Sequence, residues 1–155
     1  MASPNNLYFQ PADGLWEFRA LPMVASVAMP NGAAIGIQIT SNTTTGYNTL
    51  MGTENAAGAD FQGILMETIS SSDADYATEG KLKLVAVPVN TTQSKAYFKV
   101  GSGTFTAADV NKTVEFYSDS LSLAVDTAGK GARITDYISS SQGKCTFPMP
   151  ATETA

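Results

Sequence analysis

The chain has 155 residues, no histidine, one cysteine and a net charge of −5. That length is enough for one domain with a sizeable core, but the missing histidine excludes Ser-His-Asp and Cys-His nucleophile systems and histidine-ligated metal sites. Nine basic residues against fourteen acidic ones, with Arg19 and Arg133 as the arginines, speak against a phosphate-neutralising nucleic-acid binder. The charged fraction of 15% is well below the usual quarter or so, which suits a surface covered by neighbours.

The opening residues Met1-Ala-Ser-Pro-Asn-Asn lack a basic segment followed by an apolar one. No apolar run reaches the roughly 20 residues of a membrane helix, so synthesis in a cytoplasm without export and without membrane insertion is expected. Residues 1–30 hold four of the seven prolines (Pro4, Pro11, Pro22, Pro30) and the aromatics Tyr8, Phe9, Trp16 and Phe18. Proline at that spacing forbids long helices and keeps the chain extended. Leu15–Leu21 alternates in the manner of a strand. The section therefore reads either as a first strand with a loose terminus, or as an extended arm that anchors on a neighbouring subunit. In the second case the interface residues are Leu7, Tyr8, Phe9, Leu15, Trp16 and Phe18, because large apolar groups make good interface anchors.

From residue 31 strand signals follow in series. Ile35, Ile37 and Ile39 alternate with Gly36, Gln38 and Thr40, the pattern of a half-buried strand. Ser41–Ala59 is rich in Thr, Asn and Gly and reads as a long loop or hairpin with a flexible tip. In the next strand Phe61, Gly63, Leu65 and Ile69 share one face and Ile64 and Met66 the other. Apolar residues on both faces predict burial on both sides. Lys81–Val89 is the strongest strand, with Pro88 marking a sheet edge or bulge. Ala96, Phe98 and Val100 make another. Thr106–Asp109 has the capping pattern of a short helical turn. Short strands are then predicted at 113–117, 121–125, 133–138 and 144–147.

Short strands with turn residues between them, no amphipathic helix and no fixed-length repeat give an all-β fold: a small antiparallel β-barrel or β-tulip-like domain over residues 31–150. It carries the extended N-terminal arm of residues 1–30 and ends in a flexible tail, 151–155.

Candidate chemistry is thin. Asp73, Asp75 and Glu79 form the densest acidic cluster, yet the glycine and terminal glutamate of a calcium loop are missing, and aspartates after serines are good turn formers. Asp60, Glu67 and Glu115 add carboxylates without singling out a catalytic pair. Gly101-Ser-Gly103 and Gly129-Lys-Gly131 lack the phosphate-loop pattern and read as turns. Cys145 reads as a small apolar strand residue, and the sequons at Asn42, Asn90 and Asn111 as loop sequence. No catalytic residue, cofactor or metal is assigned.

Phe61-Gln-Gly-Ile-Leu-Met-Glu-Thr-Ile69, Asp73-Ala-Asp-Tyr-Ala-Thr-Glu-Gly-Lys81 and Leu84-Val-Ala-Val-Pro88, taken together, resemble the head decoration (capsid cement) proteins of tailed bacteriophages. Gly131-Ala-Arg-Ile-Thr-Asp-Tyr-Ile138 and Cys145-Thr-Phe147 are similar to the closing strands of that group. The resemblance covers residues 61–147, and residues 1–60 have no counterpart in it. It implies a non-enzymatic virion protein on the capsid exterior, with the major capsid protein as partner and a homo-oligomer, a trimer at local three-fold positions, as its assembly state. Two alternatives remain open. One is a carbohydrate- or receptor-binding module of a head fibre, with Tyr47 and Asn48 as its sugar platform. The other is a tail-tube or head–tail joining subunit. An arm anchored by Trp16 predicts that Trp16→Ala weakens particle binding more than it weakens the fold.

Overall fold

The computed structural model describes residues 8–40, 43–52 and 59–147. Among these residues the chain forms eleven strands: β1 (Gln10–Asp13), β2 (Trp16–Met23), β3 (Ala34–Thr40), β4 (Thr43–Leu50), β5 (Ala59–Leu65), β6 (Lys81–Pro88), β7 (Lys95–Ser102), β8 (Thr113–Phe116), β9 (Leu123–Ala128), β10 (Ala132–Ser139) and β11 (Gln142–Thr146). One 3₁₀ turn, Ala107–Asp109, interrupts them. It starts where the sequence places it. Thr106 accepts a hydrogen bond from Ala108 N–H, and Asp109 returns one by accepting from Thr106 N–H, a reciprocal cap. The all-β fold is as expected.

The strands close into two rings. The first runs β2-β4-β3-β5-β6 and back to β2. In the second, β7-β11-β10-β8-β9, a parallel contact of β9 with β7 completes the circuit, and β1 lies along the start of β7. The two rings have the same pairing scheme. In each, the first and third strands meet in parallel over a short contact, Met23 with Asn48 and then Val100 with Leu123. In each, every other neighbour is antiparallel and the first strand pairs with the fifth. The repeat lies in the pairing, and the loops that separate its strands differ in length.

Within segment 41–59, expected as a long loop or hairpin, the described residues Thr43–Leu50 form β4, which pairs antiparallel with β3 from Ile35↔Leu50 to Thr40↔Thr43. Threonine, β-branched, suits extended strand backbone. β5 departs in register. Ile35 pairs with Gly63 and Gly36 with Phe61, which leaves Gln62 as an extra residue. Such a bulge reverses the alternation. Phe61 therefore shares a core with Ile64 instead of with Leu65. Gly63 allows this close packing, because a Cβ there would strike Ala86 O and Val85 Cγ1 of β6.

Two buried clusters result. One fills the first ring: Met23, Met29, Ile35, Leu65, Ile69 and Val85 are fully buried there. The other fills the second ring and extends to the outer wall of the first, through Phe98, Phe116, Leu123 and Ile134 on one side and Phe61, Ile64 and Ala86 on the other. Phe147, just after β11, joins the rings. Its ring lies 4.6 Å from Phe61, 5.5 Å from Phe9, 6.0 Å from Phe116 and 6.3 Å from Trp16, centroid to centroid. Stacked and edge-on aromatic pairs at these distances each add about 0.5–1.5 kcal/mol beyond area burial.

Candidate functional site

β2 and β6 pair over their whole length, from Trp16↔Pro88 to Met23↔Lys81. Alternation puts Trp16, Phe18, Ala20 and Pro22 on one face, opposite Pro88, Ala86, Leu84 and Leu82. At one end of this face Trp16 and Ala86 pack into the shared core. Towards the other end the face runs out to solvent, leaving Phe18 56%, Leu84 42% and Leu82 62% exposed. Leu15 at 65% and Val89 at 49% are exposed at the ladder's end, out of phase with Phe18, Leu82 and Leu84, and there Val89 N–H donates to Leu15 O at 3.2 Å. Burying each large side chain of this set would contribute roughly 1.5–3 kcal/mol. Exposed apolar surface on a paired ladder is the kind of feature that marks interaction sites.

The lysines explain why the leucines face outward. In Lys81-Leu-Lys-Leu84 the charged residues point in and the apolar ones out. Lys81 is buried, with Nζ donating to Val24 O at 2.8 Å and Tyr76 O at 2.9 Å. Lys83 pairs with Asp75 at 3.0 Å. That contact lowers the Asp75 carboxyl and raises the Lys83 ammonium from their ordinary values, the shared hydrogen bond being the main cause in both. Both lysines therefore hold down the 70–80 turn, and the ladder's second face is left apolar.

The expected site residues divide. Leu7 lies outside the described residues. Phe18 is exposed on the ladder's apolar face and Leu15 at the ladder's end. Tyr8 is half-buried, with Lys99 Nζ 5.2 Å above its ring. Phe9, expected at an interface with a partner, is instead buried inside its own chain between Phe116 and Phe147. The gap between the two rings takes up its side chain. Trp16 is half-buried against Phe147, and its Nε1–H donates to Asp13 O at 3.0 Å. It is a packing residue of the first ring. Residues 9–23 of the expected arm are thus held in the two rings, while 1–7 lie outside the described residues. Leu82 and Leu84 were not singled out from the sequence. The available signal was a lysine–leucine alternation, which fixes that two faces exist but not which one is buried.

Of the acidic candidates, Asp73, Asp75, Glu67 and Glu79 are engaged in the fold, and Glu115 sits half-buried on β8. Asp73 accepts from Ser70 N–H at 2.9 Å, Glu79 from Ala25 N–H at 2.7 Å and Glu67 from Leu84 N–H at 2.7 Å. The Asp60 side chain lies outside the described residues. Among the described residues no group of three or more Cys, Asp or Glu could hold a metal ion, and no helix is long and apolar enough to cross a membrane. Cys145 is fully buried in β11, and desolvation holds its thiol well above the ordinary value. Two open concavities, 510 Å³ and 350 Å³, flank Thr113. Of the charged residues lining them, Lys112 is tied to Asp109 at 2.9 Å, Asp126 to Thr104 N–H at 3.0 Å and Arg133 to Asn111 at 3.1 Å, while Lys130 lines the smaller one. The sugar-platform expectation meets a buried Asn48, whose Nδ2 donates to Pro22 O at 3.0 Å. Tyr47 packs on the first ring's core.

Comparison of the chain with family models, with curated proteins and with solved structures gave no match.

Proposed function

We propose that this chain is a non-enzymatic structural protein of a tailed-bacteriophage particle. It binds the outer surface of the head as a decoration protein, with the major capsid protein as partner and further copies of itself as neighbours. The observation that supports this most is the exposed ribbon of Phe18, Leu82 and Leu84 on a ladder anchored by two buried clusters. Such a surface does work by contact. Repeated over many copies, a modest contact energy at each site stabilises a shell. The sequence resemblance over residues 61–147 adds the particle type, and the absence of histidine together with carboxylates engaged in turns and ladders fits a protein without catalytic chemistry.

Co-sedimentation with empty expanded heads tests this. The wild-type chain should pellet with the heads. A Phe18→Ser/Leu84→Ser variant that keeps its thermal stability should stay in the supernatant. Equal pelleting of both chains, or of neither, counts against the ribbon as the docking surface.

A further inference from the structure

β2 carries a second feature that the docking ribbon does not use. Its ladder pairing with β4 is confined to Met23↔Asn48, flanked by Val24 N–H to Asn48 O and by Asn48 Nδ2–H to Pro22 O, so from Trp16 to Leu21 the edge away from β6 has no strand beside it among the described residues. Glu17, Phe18, Arg19 and Ala20 are all exposed, on both faces of the strand. Unpaired edges of this kind are templates for another strand.

We propose that this edge pairs with the same edge of a second copy of the chain, antiparallel about a two-fold axis at Phe18. The hydrogen-bond phase permits it. Val89 N–H donates to Leu15 O, so Leu15, Glu17, Arg19 and Leu21 turn their backbone groups toward β6. Trp16, Phe18 and Ala20 therefore turn theirs to the free edge. An antiparallel partner must meet those three residues with its own three. The self-pairing that overlaps the segment fully sets Phe18 against Phe18, and Trp16 against Ala20, of the two copies.

Charge selects the same register. With Phe18 on the axis, Glu17 of each copy faces Arg19 of the other in the closely spaced, non-hydrogen-bonded positions where side chains approach most. A shift that centres Glu17 or Arg19 on the axis sets like charges opposite. Within one copy Glu17 and Arg19 already lie 3.7 Å apart, so four alternating charges meet across the axis. Pro22 has no N–H to offer and ends the pairing. The interface is isologous and closed, which limits it to a dimer. It also lays the Phe18–Leu82–Leu84 ribbons of two copies side by side as one face.

The test uses the purified full chain and no particle, so its outcome is independent of head binding. Sedimentation equilibrium should show a wild-type dimer. Glu17→Arg and Arg19→Glu, each at an exposed position, should weaken it by about tenfold or more, since attractive cross-strand pairs become repulsive. An equimolar mixture of the two variants should dimerise again, because each then faces opposite charge, and the double exchange Glu17→Arg/Arg19→Glu should dimerise alone. Thermal unfolding of each variant serves as the folding control. A monomeric or trimeric wild type, a dimer indifferent to either exchange, or a mixture that stays monomeric overturns the proposal.

Discussion

Ile64 and Leu65 are consecutive residues of β5, both fully buried, and they lie in different cores. Val85 and Ala86 of β6 repeat the relationship. The wall formed by these two strands belongs to both clusters, so the rings cannot lose their packing independently. We expect Ile64→Ala and Leu65→Ala each to cost about 2–5 kcal/mol. Calorimetry should show one cooperative transition for either variant; two resolved transitions would show separable rings.

Phe9 and Phe18 separate stability from binding. Phe9 is buried between Phe116 and Phe147, and Phe9→Ala should lower stability by about 3–5 kcal/mol. Phe18 is exposed, and Phe18→Ser should change stability by no more than about 0.5 kcal/mol while weakening attachment to heads. Trp16→Ala should now cost stability as well, because the indole packs on Phe147 and holds Asp13 O. Denaturant titration of the three variants decides the order.

Lys81→Met tests the inverted ladder. The ammonium ties together Val24 O and Tyr76 O from a buried position. An apolar side chain of similar length leaves those carbonyls without a donor, at about 2–4 kcal/mol. Faster proteolysis within 70–80 should accompany the loss. A variant as stable and as resistant as wild type would mean that the turn is held by other contacts.

Stability should be flat across neutral pH and fall in acid. The Asp109 carboxyl is held below its ordinary 3.8, mainly by Thr106 N–H and then by Lys112. The Asp136 carboxyl is held below the same value, mainly by the Thr135 hydroxyl. Depressed carboxylates contribute stability that is present above the unfolded value and lost as pH falls through the folded ones. The melting temperature should therefore drop below about pH 4. Lys83 and Lys144 are raised above 10.5 by Asp75 and Asp13. Their contribution is complete below that value and lost as pH rises through the folded ones. With no histidine to titrate between, a step in melting temperature near pH 6–7 would contradict this assignment.

β2, β3 and the strands from β5 onward were legible because period-two alternation and turn residues are local signals. β1 and β4 were not. β1 contains Pro11 in only four residues, and β4 is threonine-rich with little apolar pattern, so its pairing with β3 supplies what its side chains do not. The bulge at Gln62 is invisible locally, since it exists only relative to β3. The same limit hid the docking ribbon. Lys81–Leu84 announces alternation, but burial of Lys81 depends on Val24 O, which lies 57 positions away in the chain. The repeated ring likewise resides in which strands meet, and loops of unequal length erase it from the sequence.

The most direct test of the structural-virion account is a quantitative mass-spectrometric census of purified phage particles from the source lysate. We expect this chain at a copy number comparable with that of the shell protein, released together with loss of shell stability when particles are challenged by heat. Particles that lack the chain, or that keep their heat resistance after it is stripped away, would contradict the account.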